Sequence, residues 1–374
     1  MTKLRFVWWL VALAVLRIAM VAAAVTGSPE AGHYAGWYVY HGDEDEYVRV
    51  ALALARGELV DSFRPIGFPL LLVPFVWWTG ATSLAELAGP VVLFHGGVLG
   101  PLTVWLVLWL TWRWTGRRTT AVLAAAAWTL LPYLVYWLIH TRPGSVSDVP
   151  LQRLAHQLWI QVLSDPPSTF LVVAALMLVT RSWDRPGWHW PVLAGAAAGL
   201  AALVRLPNVV LVLGTWWYGW QRRWWSAVWF LLAWGGVVAL QAAVNWSVLG
   251  APWRFSGWAL EAQRSAELSQ AAGYPITLFA WSNLGFISRQ LMAKVPPLIW
   301  ALAAATLLMA AIGWRRLLRR QPQAGWLCLL WSVPLAVLYG INQDFHVSVL
   351  HFLMPVLPIV SICGAIALDP ELSG

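Results

Sequence analysis

The sequence predicts an all-α polytopic membrane protein, and its composition carries most of that prediction: 60% of the residues are hydrophobic, only 11% are charged, and the mean hydropathy is +0.66. A length of 374 residues would divide into two ordinary soluble domains, but this composition leaves too few polar groups to cover them. Apolar runs of about 20 residues recur along the chain, each long enough to cross a bilayer. One transmembrane domain over residues 1–374 is therefore expected, with about ten membrane helices and extracytoplasmic juxtamembrane helices.

The first run, at about 6–25, follows Lys3 and Arg5. Ala22-Ala23-Ala24 weakly resembles a cleavage site, yet the run is long enough to span and reads as a retained first helix. Later runs lie at about 88–111, 119–139, 169–180, 191–204, 207–220, 226–246, 295–313, 325–341 and 349–368. With the N-terminus inside, alternate connections carry Arg113, Arg117 and Arg118, then Arg181 and Arg185, then Arg222 and Arg223, then Arg315, Arg316, Arg319 and Arg320. Every short connection on that side is basic, and its acids are only Asp184, Asp369 and Glu371. Both termini are thus expected inside. The net charge of +8 reads as topology, not as a nucleic-acid surface, and no nucleic-acid partner is expected.

Tryptophan clusters such as Trp216, Trp217, Trp220, Trp224 and Trp225 fall at the ends of runs, where amphipathic indoles favour the membrane interface. Gly195 and Gly199 have the small-xxx-small spacing of close helix packing. Cys328 and Cys363 lie inside apolar runs and read as buried thiols. Three long connections remain, at about 26–87, 140–168 and 247–294, all outside, and any chemistry belongs there. Arg17, inside the first run, is the kind of intramembrane charge that also marks a conduction path.

The first outer loop is the richest. His41-Gly42-Asp43-Glu44-Asp45-Glu46-Tyr47 opens a stretch of helical composition that closes at Gly57, predicting a surface helix over 43–56. Acids at a helix N-terminus are favourable in themselves. Helical spacing also places Asp43, Tyr47, Val50, Ala51 and Leu54 on one face, which aims Asp43 at protein or ligand. Arg64-Pro65-Ile66-Gly67-Phe68-Pro69 leads into an apolar run ending at Trp78 that is too short and proline-broken to span, so a second surface helix is expected over 66–78.

These residues resemble the GT-C glycosyltransferases, membrane enzymes that use polyprenyl- or dolichyl-phosphate-linked sugars. Asp43, Glu44, Tyr47 and Ala51 follow the spacing of that superfamily's first-loop acidic motif, and His41-Gly42-Asp43-Glu44 is similar to the His-Pro-Asp-Glu form of its protein mannosyltransferase branch. The 64–69 segment resembles the proline-rich segment that follows, and Ser164-Asp165-Pro166 the acidic motif before the fourth helix. The run from Gly195 to Arg205 resembles the superfamily's Gly-x-x-x-Gly-Leu run ending in Arg. His351-Phe352-Leu353-Met354-Pro355 departs from an Arg-Tyr-x-x-Pro, and Phe63 stands where the aminoarabinose transferases carry a glutamate before the basic-proline pair.

The resemblance implies an extracytoplasmic active site in the cell membrane and inverting transfer of a sugar from a polyprenyl-phosphate donor to a hydroxyl of a glycan, lipid or protein acceptor. Asp43 would be the general base, assisted or oriented by Glu44, with Asp165 divided between a helix cap and a catalytic role. Tyr47, Arg64, Arg205, His346 and His351 would bind substrate. Arg205 lies between two apolar runs beside Pro207, where a guanidinium needs a partner such as a lipid-borne phosphate, an acid or the membrane surface. The reaction requires no cofactor, and the metal set of the site is unknown, with a divalent ion admitted but not called for by any ligand spacing. A transporter or flippase of a lipid-linked or small polar substrate is the alternative, resting on Arg17, Arg205 and the interrupted runs.

Overall fold

Prolines, glycines and arginines divide the apolar sequence into helices whose two ends differ in chemistry. The computed structural model describes residues 3–27, 43–140, 162–185, 187–255, 257–294, 297–342 and 352–372, and within them the chain is almost entirely helical. In order these helices are α1 (Lys3–Gly27), α2 (Asp43–Ala55), α3 (Gly67–Thr79), α4 (Leu84–Phe94), α5 (Gly100–Thr115), α6 (Arg118–His140), α7 (Asp165–Asp184) and α8 (His189–Val204). After a 3-10 stretch (Leu206–Leu213) come α9 (Gly214–Trp220), α10 (Trp224–Leu249), α11 (Gly257–Ala272), α12 (Asn283–Lys294), α13 (Pro297–Arg320), α14 (Pro322–Gly340) and α15 (Leu357–Leu368). The last element is a short 3-10 turn, Pro370–Leu372.

Helices form over both stretches expected of the first long connection, as α2 and α3. Acidic α2 starts at Asp43, and Gly57 beyond its end takes a φ of 79°, a conformation costly for any residue with a Cβ. The buried face of α2 carries Glu44, Tyr47, Val48, Val50, Ala51 and Ala53, so it is rotated toward Glu44 relative to the expected one, and Asp43 lies at its margin. Ser83 caps α4 by accepting from the Glu86 N–H at 3.4 Å, while the Glu86 carboxylate accepts from the Thr82 N–H at 2.6 Å. A π-helical turn at His95–Leu99 joins α4 to α5, and the apolar helix runs unbroken over Leu84–Thr115.

Among the described residues four helices are long and apolar enough to cross a membrane: Leu84–Thr115, Trp224–Leu249, Ile299–Arg320 and Pro322–Gly340. Several further apolar helices are shorter. The expected run at 207–220 is not one α-helix. The Arg205 backbone is extended (φ −143°, ψ 116°), Pro207 has no N–H to donate, and the Asn208 side-chain amide takes the carbonyl of Ala201 at 2.8 Å, so α8 ends and a 3-10 stretch begins. Segment 247–294 holds α11 and α12, whose polar composition carries no apolar run to announce them. Segment 140–168 falls largely outside the described residues.

The small-residue face of α8 packs on α10. A Cβ at Gly195 would lie 2.2 Å from the Phe230 carbonyl oxygen, so only glycine permits this approach. The 20 residues of α7 rise about 30 Å from Asp165 to Asp184, a hydrocarbon thickness. At the Asp184 end an arginine cluster gathers. Arg113 meets Asp184 at 2.5 Å, Arg117 pairs with Asp369 at 3.0 Å and with Glu371, and Arg316 donates to the Ala367 carbonyl at 2.7 Å. Arg17 is buried and donates to the Thr129 carbonyl at 3.4 Å, tying α1 to α6.

Candidate functional site

At the Asp165 end lies a cavity of about 160 Å³, into which the start of α2, the segment 63–65, the starts of α7 and α11 and the ends of α8 and α14 converge. Its lining includes Asp43, Tyr47, Arg64, Ser164, Arg205 and Glu261. The antiparallel course of α7 and α8 puts the first residue of one beside the residue following the other, which is why Asp165 and Arg205 meet although 40 positions separate them. Arg205 Nη1 donates to Asp165 Oδ1 in a pair whose carboxylate is fully buried and whose guanidinium is 10% exposed. The same guanidinium lies over the rings of Tyr339, at 5.4 Å, and Phe352, at 6.0 Å.

Asp43 sits on the opposite wall. Its Oδ1 accepts from Arg64 Nη2 at 3.2 Å, and the second carboxylate oxygen has no hydrogen bond among the described residues. The Asp43 side chain is 34% exposed, so water and a substrate hydroxyl can reach it. Arg64 forks, because Nη1 donates to Glu261 Oε1 of α11 at 3.4 Å. Burial would lower the Arg64 pKa, but the carboxylates of Asp43 and Glu261 outweigh it and hold the guanidinium firmly protonated. The Tyr47 hydroxyl meets Ser164 Oγ at 3.3 Å; burial, reinforced by the Asp43 charge, pushes its pKa up to about 12. Tyr47 is therefore a neutral hydrogen-bonding group and not a phenolate base.

Segment 61–67, which carries Arg64, is fastened on several sides. Glu46 accepts from the Phe63 N–H at 3.0 Å and pairs with Arg49 at 2.8 Å, and Arg49 donates to the Asp61 carbonyl at 2.6 Å. Gly67 abuts the end of α8, where a Cβ would lie 2.5 Å from the Leu203 carbonyl. Residues 279 and 280 pair with the end of α14: the Ala280 N–H donates to the Ile341 carbonyl at 3.2 Å, and Asn283 Nδ2 to the same carbonyl at 2.8 Å.

Of the residues singled out from the sequence, Asp43, Tyr47, Arg64 and Arg205 line one cavity, with Asp165 directly behind Arg205. Glu44 does not line it. Its carboxylate is 1% exposed and accepts from the Val162 N–H at 2.9 Å, which anchors the segment leading into Ser164. His346 and His351 lie outside the described residues, though Asn342 and Phe352, on either side of that stretch, both line the cavity. Glu261 is the residue that sequence reasoning missed. Its only signal was an acid within a helical stretch of a polar connection, indistinguishable there from a solvated charge.

The carboxylates around the cavity face guanidinium groups, and among the described residues no three His, Cys, Asp or Glu side chains form a cluster able to hold a metal ion. The chemistry that the residues lining the cavity supply is an accessible carboxylate opposite directed cationic donors.

The helix order is that of a fold already seen in solved structures. Two solved structures make the likeness specific. ArnT from Cupriavidus metallidurans, bound to undecaprenyl phosphate, superposes with a TM-score of 0.57 over 95% of this chain and 60% of its own, at 17% identity. The Archaeoglobus fulgidus oligosaccharyltransferase gives 0.60 over 96% of this chain and 50% of its own, at 16% identity. The latter protein, AglB, also matches in complex with an inhibitory peptide and a dolichol-phosphate, with a TM-score of 0.58. The chain thus spans between half and three fifths of the length of these structures. No family model matches the sequence, and no curated protein matches it.

Proposed function

We propose that this protein is a membrane glycosyltransferase that moves a sugar, with inversion, from a polyprenyl-phosphate donor to a hydroxyl of a glycan, lipid or protein acceptor. The observation that carries this reading is the single cavity in which an accessible carboxylate, Asp43, faces the guanidinium groups of Arg64 and Arg205. Such a transfer needs a base for the acceptor and cations for the departing phosphate, and no general acid, because the phosphate leaves as an anion. Asp43 takes the proton from the acceptor hydroxyl as its oxygen attacks the anomeric carbon. The bond from that carbon to the phosphate oxygen breaks on the opposite face, and the polyprenyl phosphate leaves with the electron pair. Arg205 and Arg64 donate to the phosphate oxygens, and Tyr47 orients the sugar or the base as a neutral donor.

The fold likeness to ArnT bound to undecaprenyl phosphate and to AglB with a dolichol-phosphate supports a lipid-phosphate donor. In this reading about ten helices cross the cell membrane, counting the shorter apolar ones, with both termini inside. The arginine cluster around Arg113, Arg117 and Arg316 lies in the cytoplasm, and the Asp43 cavity opens on the extracytoplasmic side. His346 and His351 add contacts to the phosphate or the sugar. Asp43→Asn tests the assignment. Its pair with Arg64 is partly exposed and worth no more than about 1 kcal/mol, so the variant should melt like wild type and still bind polyprenyl phosphate, with transfer slowed about 100-fold or more. Near-normal turnover with a confirmed acceptor would remove Asp43 from the mechanism.

A further inference from the structure

Helix α10 has a composition suited to lipid and buries few of its side chains: Phe230, Gln241 and Asn245. Two of these are amides, four residues apart on one stripe near the cavity end of the helix. A buried amide in a membrane-type helix is unfavourable unless every polar atom finds a partner, so its presence marks a specific task. Here the partners form a line. The Ile66 N–H donates to Gln241 Oε1 at 2.7 Å, Gln241 Nε2 donates to Asn245 Oδ1 at 2.7 Å, and Asn245 Nδ2 donates to the Pro252 carbonyl at 3.1 Å.

What the relay connects gives it meaning. It begins two positions beyond Arg64 and ends three before Phe255, and both of these residues line the cavity. Ile66 stands at the start of α3 and has no side-chain cap, so its N–H needs an outside acceptor, which Gln241 supplies. Pro65 restricts the backbone between this anchored N–H and Arg64, and Gly67 on the other side is pressed against Leu203. Arg64 and α11 also meet directly through the ion pair with Glu261. The two connecting segments that bound the cavity are therefore joined twice, once by charge and once by the amide line through α10.

We infer that Gln241 and Asn245 are positioning residues, which hold Arg64 in the orientation that receives the donor phosphate and keep the 252–261 segment in register with it. This rests on the reading of Arg64 as a phosphate contact. The relay commits Asn245 to a structural duty, so the formal glycosylation sequon Asn245-Trp246-Ser247 presents no accessible amide.

The test is undecaprenyl phosphate binding by the purified full chain, with Arg64→Ala, Gln241→Met and the double variant compared. Loss of a charge-assisted contact in Arg64→Ala should weaken binding about 10-fold or more. Gln241→Met should weaken it about 3- to 10-fold, and the double variant should be no worse than Arg64→Ala, because the amide acts through the arginine. Gln241→Glu, which as the protonated acid keeps an acceptor for the Ile66 N–H and a donor for Asn245 Oδ1, should recover most of the loss at low pH. Asn245→Leu interrupts the same line and carries the same expectation should Gln241→Met fail to fold. Unchanged binding in Arg64→Ala would overturn the phosphate role of Arg64. A weakened Arg64→Ala beside an unaffected Gln241→Met, or losses that add in the double variant, would overturn the relay alone.

Discussion

The Arg205–Asp165 pair offers a way to separate stability from ligand binding in one site. Asp165 is fully buried and Arg205 nearly so, and the guanidinium also covers the rings of Tyr339 and Phe352. Arg205→Ala leaves a carboxylate buried without its cation, which costs about 3–5 kcal/mol, and forfeits the ring contacts at about 0.5–2 kcal/mol each. The variant should melt far below wild type, and its lost binding alone would say nothing about phosphate. Replacing both partners, as Arg205→Met with Asp165→Leu, removes the stranded charge. Such exchanges of a buried pair are neutral or stabilising, so the melting temperature should return to wild type or above. Binding should not return, because the donor phosphate loses charge-assisted bonds worth about 1.5–3 kcal/mol, or about 10- to 100-fold in affinity. Thermal unfolding in detergent and titration with undecaprenyl phosphate, run on the same preparations, check both arms. Wild-type affinity in the stable double variant would refute the phosphate role of Arg205, and wild-type melting of Arg205→Ala would refute the energetic account of the pair.

Glu44 and its neighbour Asp43 should respond oppositely to removal of the carboxylate: Glu44→Ala strands the buried Val162 N–H at about 1–3 kcal/mol and should lower the melting temperature, while Glu44→Gln keeps an acceptor and should be mild. Tyr47, with its pKa raised from 10 to about 12, favours the folded state fully below pH about 10, and that contribution is lost as pH rises through about 12. Melting measured between those limits should fall more steeply for wild type than for Tyr47→Phe, and identical slopes would count against this burial. A cysteine introduced at Thr82, between α3 and α4, should react with an impermeant reagent from the extracytoplasmic side; labelling only from the cytoplasm would reverse the proposed topology.

The helices that border the cavity were legible where physical chemistry leaves a local mark. Acids followed by Gly57 announced α2, and the apolar run that opens after Arg64-Pro65 announced α3. The glycines at 195 and 199 announced the contact of α8 with α10. What escaped is what depends on partners distant in sequence. Whether Asp165 caps a helix or joins a site is decided by Arg205, and Glu44 turns inward because Val162 offers an N–H there. Gln241 and Asn245 are ordinary polar interruptions of an apolar run until Ile66 and Pro252 are seen at their ends. Glu261 is a buried residue of an otherwise largely exposed polar helix, and it is the ion pair with Arg64 that brings it inside.

The charge balance of the cavity bears on how it would recognise a donor. Asp43 and Glu261 share Arg64, and Asp165 holds Arg205, so the carboxylates already answer both guanidinium charges before any phosphate arrives. Simple attraction to a surplus of positive charge is therefore unavailable to these residues. Recognition would rest instead on the directed geometry of the guanidinium, which presents five donors in a fixed plane where an ammonium presents a point charge. Asp165 then acts as a splint: it holds the plane of Arg205 through Nη1 at the start of α7, where the helix dipole favours an anion. Asp43 and not Asp165 is the accessible carboxylate, in keeping with the role proposed for it. A base must exchange its partner for a substrate hydroxyl, and only the half-exposed pair with Arg64 permits that exchange without leaving a buried charge alone.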